Sequence, residues 1–289
     1  MAMTAYRSSL VVEFPVAAGP YGIVVGPDAA LWFTRVPGGI GRLTTAGEVT
    51  DHPVPGRPMA ITTGPDGALW FTNEDRVGRI TTTGEVTGFD LPNPGAGPYG
   101  ITTGPDGALW FTEMNASKLG RITPGGDVTE FDLPPGAFPA HITTGPDDAL
   151  WFTLNQANAI GRSTPSGDIT TFPLPTAAAA PVGICAREDA LWFVEIGAGQ
   201  IGRITPDGDI TEFPLPDRTA RPHAITAGPN GCWFTEWGAG HVGWIDQNGA
   251  IERYPLPNPK SEPHGITVTD DGAVWIALET GSIARLTRG

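Results

Sequence analysis

Residues 98–134 read PYGITTGPDGALWFTEMNASKLGRITPGGDVTEFDLP. Four short segments stand out in this stretch. They are I-T-T-G from Ile101, L-W-F-T from Leu109, L-G-R-I from Leu119 and G-D-V-T-E-F-D-L-P from Gly126. Each is rich in β-branched or aromatic residues and is bounded by Gly, Pro, Asp or Asn, the pattern of a strand between tight turns. The pattern recurs along the whole chain. Its Trp appears at Trp32, Trp70, Trp110, Trp151, Trp192, Trp233 and Trp275, in steps of 38 to 42 residues.

A repeat of about 41 residues with four strands reads as a β-propeller blade, and seven copies predict a seven-bladed, all-β propeller. Each blade is expected to hold four antiparallel strands. The Trp is expected to pack between neighbouring blades. The glycine of I-G-R should allow a close backbone approach, and its recurrent arginines (Arg42, Arg79, Arg121, Arg162, Arg203 and Arg285) point to a repeated structural pairing. The seventh copy stops at Leu286, after its third strand. The segment Val11-Val12-Glu13-Phe14-Pro15-Val16 matches the missing fourth strand, so the N-terminal strand should join the last blade and close the ring. No linker interrupts the period, which predicts one domain over residues 1–289.

Composition narrows the class. Gly (40) and Pro (30) exclude an all-helical fold, while nine Trp and twelve Phe supply a core. The net charge of −14 gives no general attraction to a phosphate backbone, so no nucleic-acid partner is expected. No apolar run reaches the roughly eighteen residues that span a bilayer, so no membrane partner is expected. The opening MAMTAYRSSLVVEFPV lacks the pattern of a secretory leader. Cys185 and Cys232 are too few for a disulfide framework and read as reduced packing residues of a cytoplasmic protein.

Strand direction groups positions on one face. If the first strand of each blade runs down the channel, its start and the end of the second strand lie at the same mouth. The residue after the leading proline is Tyr21, Met59, Tyr99, Ala140, Val182, His223 and His264 in successive copies. Two histidines there, with Glu262 two residues before His264, break the pattern of packing residues. The residue after W-F-T adds Glu113, Glu195 and Glu236 as candidates for the rim, and in the last copy the carboxylate is displaced by one, to Glu279. His141 is offset by one from the histidine position and is expected to point away from the mouth. Carboxylates can hold a hard cation such as Mg²⁺, and a neutral histidine can take a proton near pH 7. A plainer reading stands beside this one: solvated loop glutamates and channel histidines with satisfied hydrogen bonds. No Gly-x-Ser-x-Gly, P-loop, Cys-x-x-Cys or His-Glu-x-x-His motif is present.

Three stretches fall outside the generic repeat: Arg221-Pro222-His223-Ala224-Ile225-Thr226, Trp233-Phe234-Thr235-Glu236-Trp237-Gly238-Ala239 and Glu262-Pro263-His264-Gly265-Ile266. In these the sequence resembles the virginiamycin B lyase family, the streptogramin B inactivating enzymes, and the likeness runs from Gly19 to Leu286. The resemblance implies a monomeric, Mg²⁺-dependent carbon–oxygen lyase that linearises cyclic depsipeptide antibiotics by elimination and so confers resistance. Carried over residue by residue, it implies Glu262 and Glu279 as cation ligands and His264 as general base. His223 and Tyr21 would contact the substrate. Arg35 and Asn73 stand where later copies have Glu, which bears on substrate range. Two other readings remain open from the residues: a metal-dependent lactonase or ester hydrolase, and a binding propeller without catalysis.

Overall fold

The computed structural model describes residues 9–17, 19–36 and 38–288. Residues 1–8, on which half of the leader reading falls, lie outside the described residues. The described chain forms seven antiparallel sheets of four strands and no helix. Blades 1 to 6 cover 20–52, 58–90, 98–132, 139–173, 181–214 and 222–255. Blade 7 covers 263–288 and takes its outermost strand, Ser9–Pro15, from the other end of the chain. Val11 pairs with Leu286 and Phe14 with Ile283, so the ring closes as the sequence predicts. No helix is long and apolar enough to cross a membrane.

In blade 3 the strands run Pro98–Thr103, Leu109–Glu113, Lys118–Ile122 and Val128–Asp132 from the channel outward. All seven repeat tryptophans are buried. Trp70 packs with Phe89 of its own blade and with Leu109, Phe111 and Ile122 of the next, which makes it an inter-blade core residue. The Asp of each P-D-G-type turn explains the recurrent arginine. Asp106 accepts from Trp110 Nε1 at 3.0 Å and from Arg121 Nε at 2.6 Å. The same clasp joins Asp28, Asp66 and Asp147 to their Trp and Arg. The I-G-R glycine makes room for a ring: a Cβ on Gly120 would stand 2.1 Å from Phe111.

One irregularity recurs and builds the mouth. In every first strand the register shifts between the leading proline and the isoleucine three residues on, as between Pro98 and Ile101. This β-bulge opposes one extra residue to the second strand and re-aims the side chains beside it. The bulge amide finds its partner in the threonine of W-F-T: Gly100 N donates to Thr112 Oγ1 at 2.9 Å. Thr112 Oγ1 in turn donates to Ala140 O of the next blade. Thr235 makes the same link across the blade 6–blade 7 seam, taking Ala224 N at 3.0 Å and donating to His264 O at 2.9 Å. Val194 replaces this threonine in blade 5. At the blade 5–blade 6 seam Cys185 and Cys232 lie with their sulfurs 4.0 Å apart, as free thiols.

Candidate active site

The bulges place Tyr21, His223 and His264 together at the channel mouth, from the strands Pro20–Val25, Pro222–Gly228 and Pro263–Val268. The Tyr21 ring lies over His264 with centroids 4.4 Å apart, and the His223 ring meets His264 edge-on at 4.7 Å. Tyr21 Oη is 3.4 Å from His223 Nε2. Trp237 flanks His264 at 6.2 Å and carries the Arg221 guanidinium over its own ring. A surface recess of about 380 Å³ opens beside this group, between Arg221, Trp237, Lys260 and Glu262.

Glu279 reaches the mouth because of its displacement. Leu278 ends the strand Val274–Leu278 opposite Pro263 and is fully buried. Glu279 follows it in the loop, where its Oε2 lies 2.7 Å from His264 Nε2. Its amide donates to Glu262 O at 3.2 Å, which ties the two carboxylate-bearing residues together. Glu262 has φ near +51°, as do the equivalent Phe138, Ala180 and Arg221, so this left-handed backbone belongs to the repeat.

Burial sets the protonation of these groups. It lowers the pKa of His264 despite the opposing pull of Glu279 and Glu262, so the ring is neutral at pH 7. His223 is pushed well below the ordinary histidine value by burial, His264 and His141. Burial holds the Tyr21 hydroxyl well above its ordinary value, with Tyr99 adding to the effect. The mouth therefore offers neutral imidazoles and a protonated phenol.

Glu262 and Glu279 supply hard oxygen donors, and both act electrostatically on the same imidazole. That donor set fits a divalent cation which keeps water and substrate in its other positions. Among the described residues, no group of three or more His, Cys, Asp or Glu side chains gathers to hold a metal unaided.

Two expectations need correction. Glu113, Glu195 and Glu236 do not line the rim; all three are fully buried within their blades. Glu236 is held by Arg253, and Glu195 accepts from Gln200 Nε2 at 2.7 Å. Glu113 stands two residues after Phe111, on the same side of the pleat, so strand alternation already carried this information. His141 does not turn away from the channel. It lines a cavity of about 140 Å³ below the mouth, together with Tyr21, Tyr99 and His223. The bulge between Pro139 and Ile142 breaks the alternation on which the offset argument rested.

Known proteins share this fold. A streptogramin B lyase structure shares 44% identity over 97% of this chain and 98% of its own, with a TM-score of 0.94. The virginiamycin B lyase of Staphylococcus aureus shares 46% over 97% and 99%, with a TM-score of 0.93. The same values hold for its catalytically inactive histidine-to-alanine variant with quinupristin. A virginiamycin B lyase of Saccharopolyspora erythraea is 63% identical over 35 residues, and that match spans only 12% of either chain. The model of the virginiamycin B lyase family matches residues 9–286. With nearly every blade inside that match, the chain belongs to the virginiamycin B lyase family, a family of carbon–oxygen lyases.

Proposed function

We propose that this protein linearises streptogramin B antibiotics, cyclic depsipeptides closed by a threonyl ester, through a Mg²⁺-assisted elimination that confers resistance. The observation that carries the reading is the buried, neutral His264, hydrogen-bonded to Glu279 in a mouth that His223 and Tyr21 complete. The similarity to a streptogramin B lyase and to an enzyme with quinupristin supports the substrate class.

The neutral His264 ring meets Glu279 through Nε2, 2.7 Å from the carboxylate. The imidazole takes the threonyl α-proton, and the resulting imidazolium lies against the Glu279 carboxylate. The ester carboxylate leaves from the β-carbon, so one C–H and one C–O bond break and a C=C bond forms. Tyr21 and His223 contact the substrate beside the ester. Glu262 and Glu279 would hold Mg²⁺, which when bound polarises a carbonyl next to the α-carbon. No water nucleophile is required.

Mass spectrometry of a streptogramin B incubated with the protein tests this. A linear product of unchanged mass is expected with Mg²⁺ and none in excess chelator. His264→Ala should abolish turnover and leave the thermal transition in place, because it removes a base and little core. A product heavier by one water would make the protein a hydrolase, and full activity in chelator would remove the metal from the mechanism.

A further inference from the structure

The channel below the mouth holds polar groups that this mechanism leaves unused. Tyr99 comes from the first strand of blade 3, and its Oη lies 2.6 Å from Tyr21 Oη. His141, from blade 4, meets the Tyr99 ring edge-on, with centroids 5.0 Å apart at 82°. Tyr99, Tyr21 and His223 thus form a line of hydroxyl, hydroxyl and imidazole that starts inside the channel and ends beside His264.

Counting donors and acceptors fixes the direction of this line. Burial raises the pKa of both tyrosines, so both carry their protons, and it keeps His141 and His223 neutral. If Tyr99 donates to Tyr21 and Tyr21 to His223 Nε2, the one polar hydrogen of this line left unpaired is Nδ1–H of His223, whose Nδ1 has no partner. In the reverse direction His223 Nε2–H donates to Tyr21 and Tyr21 to Tyr99. The Tyr99 proton is then left without a hydrogen-bond acceptor, and His223 Nδ1 without a donor. The first arrangement buries one unpaired group and the second buries two, each at the cost of its lost hydration.

We propose that Tyr99 is a positioning residue for the elimination: through Tyr21 it fixes His223 as the Nδ1–H tautomer and holds that ring edge-on against His264. His141 seats Tyr99 from the far side of the cavity. The proposal rests on the lyase reading for its substrate, while its tautomer assignment is independent of that reading.

Tyr99→Phe keeps the ring against Tyr21 and His141 and removes only the hydroxyl. With a streptogramin B, kcat should fall by about tenfold while KM stays within about twofold, since a freed His223 ring no longer holds His264 in place. In protein with ¹⁵N-labelled histidine, long-range ¹H–¹⁵N spectra of the unmodified chain should show His223 protonated on Nδ1, and Tyr99→Phe should move that ring to a mixture of tautomers. An unmodified chain with His223 protonated on Nε2, or a Tyr99→Phe variant with unchanged kcat and tautomer, overturns the proposal. If the unmodified protein does not turn over the antibiotic, the lyase reading fails, and the spectra alone still judge the role of Tyr99.

Discussion

Glu279 and Glu113 show how much one residue of displacement decides. Both stand at the end of a blade's second strand, yet Glu279 lies one residue beyond it and meets His264, while Glu113 is its last residue and is sealed inside. Neither Glu113 oxygen has a hydrogen-bond partner. Burial first, and then Glu130, raise its pKa from 4.5 to about 7. A carboxyl group whose folded pKa is raised contributes its full stability below the unfolded value and loses it as pH rises through the folded one. Glu113 should therefore cost stability increasingly between about pH 4.5 and 7. Glu113→Gln is expected to be more stable than the parent at pH 8 by up to about 3 kcal/mol, with the gap closing toward pH 4. Urea unfolding at both pH values checks this, and a gap independent of pH would remove the charge from the account. The displacement of Glu279 was legible in W-I-A-L-E. The burial of Glu113 was also legible, but only through pleat alternation, because chemistry alone makes one glutamate look like another.

Within the blade, the repeated Asp does two tasks. Burial pushes the carboxyls of Asp28, Asp66, Asp106 and Asp147 up, but hydrogen bonds from the indole and the guanidinium outweigh it and hold them below the usual value. Each such carboxylate contributes stability above about pH 4 that is lost as pH falls through its depressed pKa. Trp151→Ala, which empties an inter-blade core position, should cost roughly 3–5 kcal/mol by chemical denaturation. Asp147→Asn keeps an acceptor for the indole and loses only the charge opposite Arg162, so about 1 kcal/mol is expected. Equal losses for the two variants would contradict this division of roles. The strands and the Trp position were plain in the sequence, since turn residues and period carry them. The bulge was not. It arises from a register mismatch between two strands, and so the place of His141 in the channel escaped a reading based on strict alternation.

On the scale of the ring, closure and the mouth occupy the same seam. Glu262, His264 and Glu279 come from blade 7 and Tyr21 from blade 1, and the closing segment runs between them. Val16 N donates to Gly281 O at 3.0 Å and Gly19 N to Glu279 O at 3.1 Å. Phe14 packs against Trp275 with centroids 5.5 Å apart and the rings tilted by 33°. Phe14→Ala should therefore lower both the thermal transition and kcat, whereas Phe131→Ala, the equivalent change against Trp110, should lower the transition alone. Equal kcat in the two variants would uncouple the seam from the chemistry. The match of Val11–Val16 to the repeat made the closure legible, but its hydrogen bonds to the Glu279 loop are tertiary and left no mark on the pattern. The pairing of Ser9 with Arg288 has a consequence for the chain's connectivity. Its first and last described strands are immediate neighbours, so the ring itself does not depend on where the polypeptide is cut. A circularly permuted gene, with these strands fused by a short hairpin and new ends opened in the turn between the third and fourth strands of another blade, would encode the same propeller with its mouth untouched.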